Sequence, residues 1–219
     1  MKRSTILTNL ALLFLVSGCF APLNSIYDNA KLLDKNEIRF NGNYSRYYGS
    51  TFSWAGGTSE GLVNLNDNLG LSIGYGFSEK FNFSFRYEHL NTKASFELFS
   101  EEYSLSNLNY FEVASKLNLK KDKMALGLPL GIYFNDGIFL WSFDPRLFVT
   151  FRNSNKFEVN VIPKTHLFIS DGVSVIPGVS IGLGLSDNLD SWAVRPELGV
   201  DGNVYFGIGL NFNFKNKER

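Results

Sequence analysis

One cysteine, two histidines and two methionines stand in a chain of 219 residues. A lone cysteine, Cys19, excludes an internal disulfide and any cysteine-built metal or redox site. Charged residues make up 19%, below the about 25% of ordinary soluble domains. The two signs balance to a formal net charge of zero. No basic field therefore points to nucleic acid, and no acidic one to a cationic partner. Past Val16 no apolar run is long enough for a spanning helix. After residue 35 there is no helical period of useful length, no low-complexity run and no second domain. No glycine-rich loop stands between a strand and a helix, which excludes a phosphate cradle. Asp187, Asn188 and Asp190 share one turn, but no fitting glycine or distal glutamate completes a Ca²⁺ ligand set. They read as turn formers. No cofactor and no metal is expected.

What is abundant is aromatic. Twenty-one Phe and ten Tyr bring the aromatic share to 16%, a balance that favours strands. The N-terminus has its own character. Met1-Lys2-Arg3 is a basic start, residues 4–16 are mostly apolar, and Leu15-Val16-Ser17-Gly18-Cys19 closes the stretch. This is the layout of a cleavable export signal, too short and too poorly flanked to span a bilayer. Because it ends on cysteine, it resembles the lipobox of bacterial lipoproteins. That resemblance implies removal of residues 1–18, a lipoprotein signal peptide, and acyl chains on Cys19. Residues 19–36 read as a periplasmic tether with a possible short helix, which Asn24 or Ser25 would cap and Ile26, Ala30 and Leu33 would line.

From there the period is two. Leu69, Leu71, Ile73, Tyr75 and Phe77 alternate with Gly70, Ser72, Gly74 and Gly76. After a turn at 78–80, Phe81, Phe83, Phe85 and Tyr87 alternate with Asn82, Ser84, Arg86 and Glu88. The same pattern predicts ten strands, at 37–48, 67–77, 81–90, 107–119, 124–134, 139–151, 157–169, 173–185, 191–200 and 204–214. One end has short polar connections. The other begins with two long ones, 49–66 and 91–106. Pro129, Pro145, Pro163, Pro177 and Pro196 each fall inside a strand, where proline removes a ladder donor, so bulges or shifted boundaries are expected there.

Two architectures hold ten alternating strands: a soluble barrel with its apolar face inside, or a membrane barrel with that face outside. In the last strand the non-apolar set is Tyr205, Gly207, Gly209, Asn211 and Asn213. A water-facing set would carry the Lys, Glu and Thr that keep exposed strands soluble. Eleven residues at about 3.3 Å, tilted by about 40°, rise roughly 28 Å, the thickness of a bilayer's apolar core. Phe77, Phe81, Phe151, Phe157, Trp192 and Phe214 gather by the short turns, and Phe134, Phe139 and Trp141 at the opposite rim, as interfacial girdles do. In lipid such strands survive only in a closed barrel. The expectation is an all-β, ten-stranded, antiparallel, up-and-down transmembrane β-barrel over residues 37–214, with a tail at 215–219.

On this pattern, and on the final V-Y-F-G-I-G-L-N-F-N-F, the chain resembles the bacterial outer-membrane β-barrel superfamily, small barrel lipoproteins of Gram-negative bacteria included. The resemblance implies an outer-membrane location and partners in that membrane's lipids and in the barrel assembly machinery, which would read the last strand. Family members commonly end on the last aromatic, whereas residues 215–219 follow Phe214 here. Phe20 after Cys19 implies sorting outward, with the acyl chains in the inner leaflet of that membrane.

The inward parity carries nearly all strand charge: Arg39, Arg86, Glu88, Glu112, Lys116, Asp144, Arg146, Glu158, Lys164, Arg195 and Glu197, with His166 among them. Signs roughly cancel, as an enclosed interior requires. Counting from the turn at 152–156 sets Asp144 opposite Lys164 and His166 opposite Ser142, while Arg86 and Glu112 lie at similar heights. Long charged arms reaching to glycine walls would fill the lumen. A narrow polar conduit is the alternative. Ser142, His166 and Asp144 could also form a hydrolytic trio, though their spacing matches no protease or deacylase barrel, and a non-enzymatic role is expected. His89 falls on the lipid-facing parity. Trp54, Phe96 and Phe99 place apolar groups on the long loops, where a surface ligand could bind.

Overall fold

Side chains alternate across a strand, so a ribbon with one apolar and one polar edge must choose which edge meets solvent. The computed structural model, which describes residues 25–50, 62–92, 95–98, 101–104, 107–135, 139–169, 173–201 and 203–215, turns the apolar edge outward. Thirteen strands follow in chain order: β1 (Glu37–Ser50), β2 (Leu62–Ser78), β3 (Phe81–Thr92), β4 (Ser95–Leu98), β5 (Glu101–Ser104), β6 (Leu108–Lys120), β7 (Met124–Phe134), β8 (Phe139–Phe143), β9 (Arg146–Arg152), β10 (Phe157–Ile169), β11 (Val173–Leu185), β12 (Trp192–Val200) and β13 (Val204–Lys215). Strands β4 and β5 form a separate hairpin in the connection between β3 and β6. Strands β8 and β9 are two halves of one stave, since both pair with β7 and with β10. The barrel therefore has ten staves, each antiparallel to its sequence neighbours. It closes where β1 meets β13, from Glu37 opposite Lys215 to Tyr48 opposite Val204.

Closure removes the free edge that an open sheet would present. The outer surface is a belt of exposed apolar side chains, among them Leu69, Leu71, Ile73, Ile181, Leu198, Phe206 and Ile208. Aromatic rims flank it, with Phe77, Phe151 and Phe214 at the short-turn end and Phe139 and Trp141 at the other. The charges point in: Glu88 and Glu158 are fully buried, and Arg195 is 3% exposed. Such an inversion of the soluble pattern, on a sheet with no edge, is what a bilayer requires of a strand-built protein. No helix among the described residues is long and apolar enough to cross a membrane; the crossing is made by strands.

The prolines depart from expectation. Register shifts occur at Tyr47/Tyr48, Gly76/Ser78 and Asn118/Lys120, near strand ends, and none lies at a proline. Asp144-Pro145 separates β8 from β9, yet the register continues across the gap. Leu130 faces Phe143 and Gly127 faces Arg146 on one side, while Leu167 faces Phe143 and Lys164 faces Arg146 on the other. The ladder thus skips bonds without inserting a residue, and nearby carbonyls are used. Asp144 N–H donates to Pro129 O (3.2 Å), and Thr165 N–H donates to Pro145 O (3.1 Å). Pro129, Pro145 and Pro163 share this one seam.

Residues 25–34 are the second departure. No helix forms there, and the segment is not outside the barrel. It runs without regular structure through the lumen. The expected signal peptide, Cys19 and the end of the tail lie outside the described residues.

The orientation predicts an asymmetric response to charge. Leu71→Arg, in the middle of the apolar belt, should lower the stability of the protein folded into phospholipid vesicles by about 2–4 kcal/mol, read by urea titration. A delipidated protein that stays monomeric in water without detergent would overturn the orientation.

Candidate functional site

The lumen is built around residues 25–36, here termed the strap. Its lower end lies at the short-turn mouth, where Asn36, in the left-handed conformation that Asn tolerates (φ 64°), donates its N–H to Gly76 O at 2.8 Å. Lys31 reaches the turn after β11 and donates to Asp190 at 2.6 Å. Above these, the wall side chains hold the strap by its backbone. Ala30 N–H donates to Thr150 Oγ1 (2.7 Å), and Lys116 Nζ donates to Asn29 O (3.1 Å) and Lys31 O (3.3 Å). Ile26 and Tyr27 N–H both donate to the Glu197 carboxylate (2.9 and 2.8 Å). Asn211 and Asn41 donate to Tyr27 O (3.0 and 3.4 Å). With its amide turned to match, Asn82 accepts from Leu33 N–H at 2.6 Å and donates to Leu33 O at 3.3 Å. Six wall residues thus do for an irregular chain what a neighbouring strand does in a sheet.

Tyr27 is the kink of the strap. Its φ of 53° is costly for a bulky residue, of order 1–3 kcal/mol, and the bonds from Glu197, Asn41 and Asn211 bracket it. Its ring lies on the glycine face of β13. A Cβ added to Gly209 would stand 2.6 Å from Tyr27 Cβ, and one added to Gly207 would collide with the Tyr27 hydroxyl. Asp28 is the charged seat. Arg39 donates to it at 2.5 Å and Lys116 at 2.7 Å, so one strap carboxylate is shared by two wall cations. An apolar patch completes the fit: Ala30 and Leu32 pack with Ala125, Phe148 and Ile162. Beside the strap a cavity of about 80 Å³ remains, lined by Asp28, Arg39, Arg86, Glu112, Lys116 and Arg146 among others.

The other sequence-expected lumen residues form local pairs. Arg86 bridges to Glu88, and Arg146 donates to Glu112 at 2.6 Å. Arg86 does face Glu112 across the β3–β6 ladder. Arg195 donates to Glu158 at 2.6 Å. The expected Asp144–Lys164 pair does not form, because the true register is two residues away. Lys164 faces Arg146, and its ammonium donates to Ser180 Oγ (3.3 Å) and Tyr205 Oη (3.2 Å). Asp144 instead meets His166 (Nδ1 to Oδ1, 2.9 Å), Ser142 Oγ (2.9 Å) and Tyr110 Oη (3.2 Å). Ser142 stands opposite Phe168, not His166, and donates to the carboxylate. Asp201, which the sequence did not single out, approaches His166 Nε2 at 3.6 Å. His89 keeps its outward parity and meets Asn109 Oδ1 at 3.1 Å.

At the long-loop end the lumen is apolar on one side. Leu90, Leu108, Tyr110, Tyr133, Leu140, Phe168 and Ile176 form a buried cluster, with Tyr47 stacked on Tyr205 across from it. Strap residues 26–34 were the functional residues that sequence reading placed elsewhere. Their signal was present in the glycine runs of β2 and β13, which are the walls they rest on.

The fold and its site define a class, a closed β-barrel with an apolar outer belt and a lumen occupied by its own N-terminal segment. No protein-family model matches the chain, and no curated protein matches it. Solved structures overlap it as folds. The translocator domain of autotransporter NalP from Neisseria meningitidis shares 8% identity at a TM-score of 0.44, covering 84% of this chain and 90% of that one. A de novo designed transmembrane β-barrel shares 12% at 0.40, covering 84% and 99%. The N-terminal barrel of Pseudomonas aeruginosa OprF shares 13% at 0.36, covering 83% and 100%.

Two outcomes test the strap. Asp28→Ala leaves Arg39 and Lys116 close together without their acid, a loss of about 1.5–3 kcal/mol for charge-assisted hydrogen bonds to a partly buried carboxylate. Trypsin should then cut after Lys31 or Lys35 in detergent, where the parent resists. The second concerns acid. Burial by itself raises the Asp190 carboxyl, but hydrogen bonds from Arg152 (3.0 Å) and Lys31 outweigh it and hold the pKa at about 2. This lies below the unfolded value of about 3.9, so the clamp is fully present above that pH and is lost as pH falls through 2. Amide NMR signals of residues 30–33 should shift with a midpoint near 2, and Asp190→Asn should abolish the transition.

Proposed function

We propose that this chain is an outer-membrane β-barrel lipoprotein, acylated at Cys19, whose lumen is closed by its own strap. Its role in this reading is structural or surface-interactive, exercised through the long connections 51–61, between β1 and β2, and 93–107, between β3 and β6. The observation that carries it is the double use of residues 26–31, which satisfy wall groups with their backbone and two wall cations with Asp28. A solute path would have to pass the same space. The apolar belt and its aromatic rims support the membrane location, and the small-small-Cys junction after an apolar stretch supports the acylation. Outer-membrane lipids and the barrel assembly machinery, engaged through β13, are the partners this reading implies. No enzymatic activity is included. Ser142 and His166 are each 1% exposed, the serine donates to Asp144, and His166→Ala should leave ester or lipid hydrolysis at the level of the parent.

The narrow channel is the competing reading, and one measurement separates them. Purified protein in a planar bilayer should give no steady single-channel steps. Gly209→Ala, which drives a methyl into Tyr27, should introduce them by displacing the strap. Steady conductance from the parent protein would overturn the closed lumen.

A further inference from the structure

No metal is expected from the sequence, yet the upper lumen gathers two carboxylates around one histidine. His166 on β10 points inward, and its ring lies beside that of Phe168, with centroids 6.3 Å apart and 17° between the planes. Asp144 stands in the gap between β8 and β9. Phe143 faces Leu167 and Arg146 faces Lys164, so the rung of Asp144 is that of His166. Asp201 comes from the turn after β12, where its N–H donates to Asn203 O at 3.0 Å. All three side chains are buried: Asp144 is 4% exposed, His166 1% and Asp201 0%.

Asp144 accepts the Nδ1–H of His166 at 2.9 Å and is itself held by Ser142 and Tyr110. A neutral histidine that donates from Nδ1 keeps a lone pair on Nε2. That lone pair faces Asp201 Oδ2 at 3.6 Å, beyond the about 2.7–2.9 Å of a charge-assisted hydrogen bond. Nε2 and both Asp201 oxygens have no hydrogen-bond partner. Electron pairs thus face one another in a buried place, a cost that a cation between them removes. A proton on Nε2 cancels one of the trio's two negative charges, whereas a divalent ion cancels both. The neighbouring wall cations are engaged elsewhere: Arg86 with Glu88, Arg146 with Glu112, and Lys164 with Ser180 and Tyr205.

We propose that His166 Nε2 and the Asp201 carboxylate form a binding site for a divalent transition-metal ion of the Zn²⁺ class, with Asp144 orienting the imidazole from behind. Zn²⁺ lies about 2.0–2.1 Å from an imidazole nitrogen and about 2.0–2.2 Å from a carboxylate oxygen. Two such arms opened by about 110–120° set their donors about 3.4–3.6 Å apart. The Nε2 to Oδ2 separation of 3.6 Å matches that span. The imidazole selects this class over Ca²⁺ and Mg²⁺, which take oxygen. No third His, Cys, Asp or Glu among the described residues completes a ligand set. With both Asp201 oxygens open, two residues still offer three donor atoms, and water fills the rest of the shell. A bound ion ties the β12–β13 turn to the β10 wall at the long-loop end. The site depends neither on acylation of Cys19 nor on the strap.

The test uses the full-length chain folded into detergent, stripped with a chelator and titrated with Zn²⁺ in a calorimeter. One Zn²⁺ per chain should bind. Asp201→Asn and His166→Gln should abolish that binding, and Asp144→Asn should weaken it by about 10–100-fold. His89→Ala and Cys19→Ser, which remove the other histidine and the lone thiol, should bind as the parent does. A parent that takes up no Zn²⁺ would overturn the site, as would uptake that survives Asp201→Asn or is lost with His89→Ala or Cys19→Ser. Long-range ¹H–¹⁵N NMR of the parent's histidines covers the case of a variant that does not fold. Before Zn²⁺ is added, His166 should carry its proton on Nδ1 alone, and its Nε2 resonance should move on addition. Protons on both nitrogens with no response to Zn²⁺ would show a proton as the occupant and overturn the proposal.

Discussion

The constraint on which this protein depends is that no backbone polar group facing hydrocarbon goes unpaired. Ten staves satisfy it only when the first is bonded to the last, and the β1–β13 ladder, with Tyr44 opposite Ile208 at its middle, makes that closure. Once the sheet is a ring, each side chain is committed to lipid or to lumen by its parity. Leucine, isoleucine and phenylalanine can then lie exposed at no cost, because their solvent is acyl chain. Arginine and glutamate must lie inside, where each needs a partner of opposite charge or a hydrogen bond, to an acceptor for arginine and from a donor for glutamate.

A ring of ten staves leaves more interior than small side chains can fill, and the chain fills it with part of itself. The strap differs from a hydrophobic plug. Its backbone is read by Glu197, Thr150, Lys116, Asn41, Asn82 and Asn211, and its only large ring settles on glycines of β13. Asp28 supplies the negative charge beside Arg39 and Lys116, so the electrostatic balance of the lower lumen includes the strap. The upper lumen balances mainly on its own walls, through Arg86–Glu88, Arg146–Glu112 and the Asp144–His166 contact. The seam at Pro129, Pro145 and Pro163 sits beside the last of these, where skipped ladder bonds free backbone carbonyls without disturbing the register.

Much of this was legible in the residues. The alternation of Leu71 and Ile73 with Ser72 and Gly74 marked strand and face together, and the ten strand positions follow from such runs. Arg86 facing Glu112 came from counting heights on two neighbouring strands, β3 and β6, whose ladder carries no register shift. The same counting failed for Asp144. A four-residue connection between β9 and β10 leaves the register open by two, and two residues preserve the face, so parity survives while the partner changes. The strap was misplaced for a related reason. Residues 25–36 have a weak local pattern, and nothing in it says whether Tyr27 belongs in water or against Gly209.

By itself, the sequence determined where the barrel strands run, the number of staves and the side of each ribbon that meets lipid. Those depend on period-two patterning and on the chemistry of one residue relative to its neighbours. Tertiary structure alone decided which charges pair and what occupies the interior. Pairing depends on stagger between strands, and occupancy on a segment whose bonds go to residues more than a hundred positions away, as from Ala30 to Thr150 and from Tyr27 to Glu197. Glycines that look like spacing along the strand turn out to be shaped by a chain that lies elsewhere in sequence.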